Sequence, residues 1–125
     1  MTVVKPEGGV DAQYQKFLAD GQFMIQRGVD SGTHVFSPRE VAPGTGEELA
    51  WVKASGFGTV YSVTTVHAKP PTPSHNISLI DLDEGPRMMS NVVDIDPDRV
   101  TIGMRVQAKI VSRDDSYLVV FSPAK

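Results

Sequence analysis

The chain contains no cysteine, which excludes disulfides, thiol nucleophiles, iron–sulfur clusters and any zinc held by thiolates. It has no long hydrophobic run either. The longest uninterrupted apolar stretch, residues 117–121, is far too short to cross a bilayer as a helix. The opening Met1-Thr2-Val3-Val4-Lys5-Pro6-Glu7 lacks the apolar centre of a signal peptide, so a cytoplasmic protein without a membrane partner is expected. Excess charge of one sign is missing as well: 12 basic against 15 acidic residues leave −3 at pH 7. No strong field draws such a chain to nucleic acid or to an anionic surface. Catalytic signatures are absent too. There is no Gly-x-Ser-x-Gly elbow. Pro43-Gly44-Thr45-Gly46 is followed by Glu47-Glu48 rather than by Lys-Ser/Thr, a pair that would repel phosphate rather than cradle it.

The remaining composition of the 125 residues, with 40% hydrophobic and 22% charged side chains, is that of one globular domain or of one domain with a small appendage. Gly 11 and Pro 9 make 20 of 125, above an average usage of about 12%, and favour a turn-rich β protein over a helix bundle. Residues 1–10, with Pro6, Gly8 and Gly9, read as a lead-in. Asp11 is a candidate N-cap for a short helix that aligns Tyr14, Phe17 and Leu18 on one face and closes at Gly21. Residues 22–27 have strand character. Between 28 and 46 the chain is punctuated by glycine and proline, with strand character only at His34-Val35-Phe36. Residues 49–55 and 59–67 resemble one long strand bent at Gly56-Phe57-Gly58. A proline-rich loop follows at 69–74, then a hairpin of 76–82 and 87–93 around Asp83-Glu84-Gly85-Pro86. A polar connection holding Asp96-Pro97-Asp98 precedes the faultless alternation of 105–110, a turn at Asp114-Asp115 and a last strand at 117–121. Five strands with a bent first member and a connection between the third and fourth predict a small OB-type barrel running from about Leu49 to Pro123.

Phe23-x-Ile25-Gln26-Arg27, Gly56-x-Gly58-Thr59-Val60-Tyr61-Ser62 and Asp81-Leu82-Asp83-Glu84-Gly85-Pro86-Arg87 carry a resemblance. Their order is similar to that of the acyl-CoA-associated OB-fold proteins, a domain-of-unknown-function family of thiolase accessory subunits with a rubredoxin-like zinc ribbon before the barrel. The resemblance implies a mainly β protein divided into a lead-in and helix (1–21), a zinc-ribbon-like segment (22–47) and a five-stranded OB-fold domain (48–125). The two Cys-x-x-Cys knuckles of the family fall here on Gly28 and Ser31, then on Ala42 and Thr45. Glycine and alanine have no donor, neutral hydroxyls bind zinc poorly, and His34 offers one nitrogen at most, so a metal-free ribbon is expected. Its order must then come from packing against the barrel, from a second subunit or from a partner enzyme.

The resemblance implies a non-catalytic partner of a thiolase-superfamily enzyme or a MaoC-like hydratase acting on acyl-CoA. The alternative is a stand-alone CoA or acyl-CoA binder. In it Arg39, Lys53 or Arg87 would meet phosphates, and Phe57 or Tyr61 would meet adenine. A single-stranded nucleic-acid binder is the remaining possibility that such a barrel allows. It is disfavoured because strands 77–83 and 87–91 carry carboxylates and aliphatics in place of stacking rings. Asp81, Asp83 and Glu84, like Asp94, Asp96 and Asp98, read as solvated turn residues, since the spacing of a calcium loop is missing. His34, His67 and His75 are scattered and read as structural or surface residues. Trp51, Tyr61 and Tyr117 are expected to fill the core or a bulge rather than to form a ligand platform. Phe57, between two glycines, stands out as a poorly shielded ring, and Met88-Met89 should place one side chain inward and one outward. The strand Phe23-Met24-Ile25 and the edges of a partly open barrel offer material for a homo-oligomer.

Overall fold

A computed structural model describes residues 9–124, in which one helix precedes eight strands. The lead-in read over residues 1–8 lies outside the described residues. Helix α1 is Val10–Ala19. Gly9 rather than Asp11 occupies its N-cap: it has extended backbone and no side-chain cap, and its carbonyl already accepts from Gln13 N at 2.9 Å. Asp11 therefore sits in the first turn, where its charge meets the positive end of the helix dipole. The helix stops as its glycine predicts. Gly21 is left-handed (φ 79), and Gln22 N donates to Phe17 O at 2.9 Å, the six-to-one bond of a glycine-terminated helix.

Strands β1 (Met24–Gly28), β2 (His34–Val35) and β3 (Leu49–Lys53) form an antiparallel sheet in the order β2-β1-β3. Leu49 thus does not open the barrel. The stretch that resembles one bent strand is two strands in different sheets, because β3 pairs with β1 from Gly28↔Leu49 to Met24↔Lys53. The change of sheet takes three residues. Ala54 N still donates to Phe23 O (3.0 Å), whereas Gly56 O accepts from Ala108 N (2.6 Å). Gly56, at φ +86, supplies the turn between them.

The second sheet holds β4 (Phe57–Val66), β5 (His75–Leu82), β6 (Arg87–Ser90), β7 (Arg105–Arg113) and β8 (Ser116–Pro123), in the order β6-β5-β4-β7-β8. It is a five-stranded, nearly closed OB-like barrel. A register shift between Val60 and Ser62 coils β4 against β5. The barrel closes where Val92 bridges Phe121 in parallel and Phe121 N donates to Asn91 O at 2.9 Å. Asp114 and Asp115 both have positive φ (48 and 66), as a two-residue hairpin loop requires. Pro97–Arg99 forms the expected helical turn, capped by Asp96, whose carboxylate accepts from Asp98 N.

One apolar cluster serves both sheets. Leu18 of the helix, Phe23 just before β1 and Ile25 within it pack with Val60, Ile80, Val106 and Phe121 of the barrel. Burying each such side chain contributes about 1.5–3 kcal/mol. Phe23 and Ile25 are therefore interior, and the strand expected to offer them for self-association does not. Trp51 lies at the helix–ribbon contact: its ring is 5.3 Å from Phe17 and 6.4 Å from Tyr14, and its Nε1 donates to Gln13 Oε1 at 2.9 Å. Tyr61, at the register shift of β4, and Tyr117, near the start of β8, are exposed rather than part of the core. No helix among the described residues is long and apolar enough to cross a membrane.

Candidate functional site

The outer face of the barrel sheet gathers the side chains with the most capacity for interaction. Alternation along each strand sends Arg87, Asp81, Thr59 and Arg105 outward, and the register lines them up as neighbours across β6, β5, β4 and β7. Arg87 Nε donates to Asp81 Oδ1 at 2.6 Å, and its guanidinium lies over the Tyr61 ring, 3.4 Å from the centroid. Arg105 grips Asp83 with both terminal nitrogens (2.7 and 2.9 Å) and donates to Thr59 Oγ1 at 3.1 Å, while Phe57 lies 6.0 Å from its guanidinium carbon. The hydrogen bonds from Arg105 hold the Asp83 carboxyl below its ordinary range, and the hydrogen bond to Asp81 raises the Arg87 pKa.

Around these pairs the surface is apolar. Tyr61 is 49% exposed, Met89 68% and Ile102 71%, with Phe57 and Ile77 also open to solvent. Gly103 N donates to Val60 O at 2.8 Å and Val60 N to Met104 O at 3.0 Å, which ties the backbone after Ile102 to β4 next to Tyr61. Met88 points inward and Met89 outward, as the alternation predicts. Charges already matched within the face, set among exposed rings and aliphatics, make a surface suited to another protein rather than to phosphate.

The five residues proposed from the sequence do not converge. Phe57, Tyr61 and Arg87 share this face. Arg39 lies in the ribbon, on a cavity of about 340 Å³ lined also by His34, Phe36, Pro43, Glu47 and Pro86. Buried Gln26 fixes its backbone from both sides: Nε2 donates to Arg39 O and Oε1 accepts from Arg39 N, each at 2.7 Å. Lys53 ends β3 on a separate cleft with Gly21, Phe23 and Gln107. The turn acids Asp81 and Asp83 are partly exposed, and with Glu84 they also serve as tethers. Asp81 and Asp83 hold the two arginines, and Glu84 accepts from Ser55 N at 2.6 Å. Arg105 is absent from the sequence-derived set, although the strict alternation of its strand already marks it as outward-facing.

The four knuckle positions do not fit zinc. Gly28 and Ala42 supply no donor atom, Ser31 Oγ accepts from Thr33 N (3.1 Å), and Thr45 Oγ1 donates to Glu47 Oε2 (3.0 Å). Among the described residues no group of three or more His, Cys, Asp or Glu side chains is placed to hold a metal ion. Among the histidines, His67 lies 3.7 Å from Asp98 with both side chains exposed, a surface pair.

A family model described as the C-terminal OB-fold domain of ChsH2 matches residues 51–111. A solved structure described as an Ltp2-ChsH2(DUF35) aldolase superposes with a TM-score of 0.82 at 30% identity, over 98% of this chain and 100% of that one. A DUF35 domain-containing scaffold protein of Methanocaldococcus jannaschii is 37% identical over 83 residues, 62% of this chain and 59% of its own. The 3-oxo-4,17-pregnadiene-20-carboxyl-CoA hydratase alpha subunit of Mycobacterium tuberculosis is 39% identical over 79 residues, 60% of this chain and 25% of its own. The chain thus spans from a quarter to about six tenths of the length of these two curated relatives.

Proposed function

The chain belongs to the DUF35 family of OB-fold proteins, and on that premise we propose that it is a non-catalytic accessory subunit of an acyl-CoA-processing enzyme complex. Its partner is a thiolase-superfamily enzyme or a MaoC-like hydratase. The observation that carries this reading is the likeness, over the full length of both chains, to a DUF35 protein described together with an aldolase. The outer barrel face supports it: exposed Tyr61, Met89 and Ile102 offer apolar area, and the self-matched arginines leave little unpaired charge to desolvate on docking. The test is gel filtration of the purified chain with thiolase and hydratase candidates encoded in the same genome, with the partner assayed in the presence and absence of the chain. Co-elution with one candidate and a change in its turnover are expected. The absence of both, or thioester turnover by the chain alone, refutes the reading.

Direct contact with CoA is a second reading, favoured by Arg39. Its guanidinium has no side-chain partner among the described residues and borders a cavity of about 340 Å³ with an apolar wall. Calorimetric titration with CoA checks it: heat that disappears in Arg39→Ala is expected, and no heat at high micromolar protein removes the reading.

A further inference from the structure

The ribbon keeps two matched turns. In the first, Gly32 N donates to Gly28 O at 2.9 Å with Gly32 at φ +75; in the second, Gly46 N donates to Ala42 O at 2.9 Å with Gly46 at φ +72. A metal would join such a pair of turns from the space between them, and that space holds a carboxylate. Glu47 Oε1 accepts from Asp30 N (3.0 Å) and Ser31 N (2.9 Å) in the first turn, while Oε2 accepts from Thr45 Oγ1 (3.0 Å) in the second. Backbone bonds hold Glu47 in place: Ala42 N donates to Glu47 O at 3.0 Å, and Val29 N to Glu48 O at 2.9 Å.

Room for the carboxylate comes from Gly28. A Cβ at that position would lie 2.7 Å from both Glu47 Cδ and Ser31 Oγ, closer than side chains tolerate. The serine hydroxyl can rotate away, but the glutamate, tied at both oxygens, cannot do so without releasing the turns.

We infer that Glu47 is the cross-link of this ribbon, a carboxylate clasp that takes the place of a metal and that exists only because residue 28 has no side chain. The glycine and the glutamate form one device: a side chain at 28 and the carboxylate of 47 exclude each other. The inference is independent of the docking proposal, and none of its readouts needs a partner enzyme.

Amide hydrogen exchange of the whole chain tests it. In the native protein the Asp30 and Ser31 amides are protected, and dialysis against EDTA leaves them so. In Glu47→Ala both exchange at least ten times faster while Val106, in the core, is unchanged; Glu47→Gln, which keeps one acceptor oxygen, shows a smaller loss. Thermal denaturation supplies the second arm. Gly28→Ala lowers the melting temperature in the native background and is tolerated beside Glu47→Ala. The clasp is overturned by unchanged Asp30 and Ser31 exchange in both Glu47 variants, by loss of their protection on chelation, or by an equal effect of Gly28→Ala in both backgrounds. If Glu47→Ala does not fold, Glu47→Gln reads the same amides, and Glu47→Ser, which removes the Cδ that a side chain at 28 would meet, reads the coupling with Gly28→Ala.

Discussion

Replacing Asn76 with alanine removes the tie that holds the returning chain in place where the barrel closes. The Asn76 side chain is 1% exposed. Its Nδ2 donates to Val92 O at 2.7 Å, and its Oδ1 accepts from Val92 N at 2.9 Å and from Ser78 Oγ at 2.8 Å. Val92 is also the residue that bridges Phe121 across the closing seam. Alanine leaves a backbone N–H, a backbone C=O and a hydroxyl without these partners in a buried setting. An unsatisfied buried group costs about 1–3 kcal/mol. Water can enter from the neighbouring cavity, about 470 Å³ and lined by Asn76, Asn91 and Val92, and recover part of that loss. A net destabilisation of about 3–5 kcal/mol follows, a large share of the roughly 5–15 kcal/mol that holds a domain. Urea denaturation followed by the fluorescence of the single tryptophan reads it as a lower midpoint at unchanged slope. A loss below about 1 kcal/mol would show that the three bonds are replaceable, contrary to the closure described for this barrel.

Gly58→Ala should destabilise by about 1–3 kcal/mol through overpacking, because its Cβ would lie 2.7 Å from Ile80 Cγ2 and 2.9 Å from Asp81 O, and the second of these is backbone; the same urea titration measures it. Burial pushes the Tyr14 hydroxyl up to about 12, so between pH 10 and 12 the unfolded chain releases a proton that the folded chain keeps. Stability is then full below about pH 10 and falls by roughly 2–3 kcal/mol as pH rises through 12, a component that Tyr14→Phe should abolish in melting curves taken against pH. Asp83, held low by Arg105, gives stability above its unfolded pKa that is lost as pH falls through the folded value. In Arg105→Gln the Asp83 carboxyl should titrate closer to an ordinary aspartate by NMR, and high salt should weaken the shift in the native chain.

What the sequence reveals depends on whether a feature is local. Alternation over 105–110 predicts Val106 inside and Arg105 outside, and the structure agrees, because a half-buried strand has to sort its side chains by parity. The glycine that ends the helix and the aspartate pair of the last hairpin are legible for the same reason: each answers a backbone requirement of its own position. The sheet to which residues 49–53 belong is not a local property. Leu49 to Lys53 fits either neighbour by pattern, and the choice is made by register with β1, some 25 residues away by the Gln26↔Trp51 pair. The site behaves likewise. Asp81, Asp83 and Glu84 resemble turn acids until the fold brings Arg87, Arg105 and Ser55 to them. Tyr61 resembles a core ring until the register shift beside it turns it outward.

Glu47 is the sharpest instance, since nothing in a Glu-Glu pair after a glycine turn marks one member as a structural bond. Its role is written in a second place, the missing side chain at Gly28, and the two positions acquire meaning only together. The knuckle thiolates of the resembling family are missing from this sequence, yet the chain leaves the segment neither unsupported nor dependent on the barrel alone. The shared core fixes β1 through Phe23 and Ile25, and β1 carries the first turn at its end. The second turn is tied back to the first by the carboxylate. A ribbon clasped as inferred above would need no metal, and without cysteine it has no thiol to oxidise. For a subunit proposed to work through its surface, the clasp matters because Glu47, with Ser31 and Thr45, also lines the cavity around Arg39, so a substitution at Glu47 should alter that cavity as well as the turns.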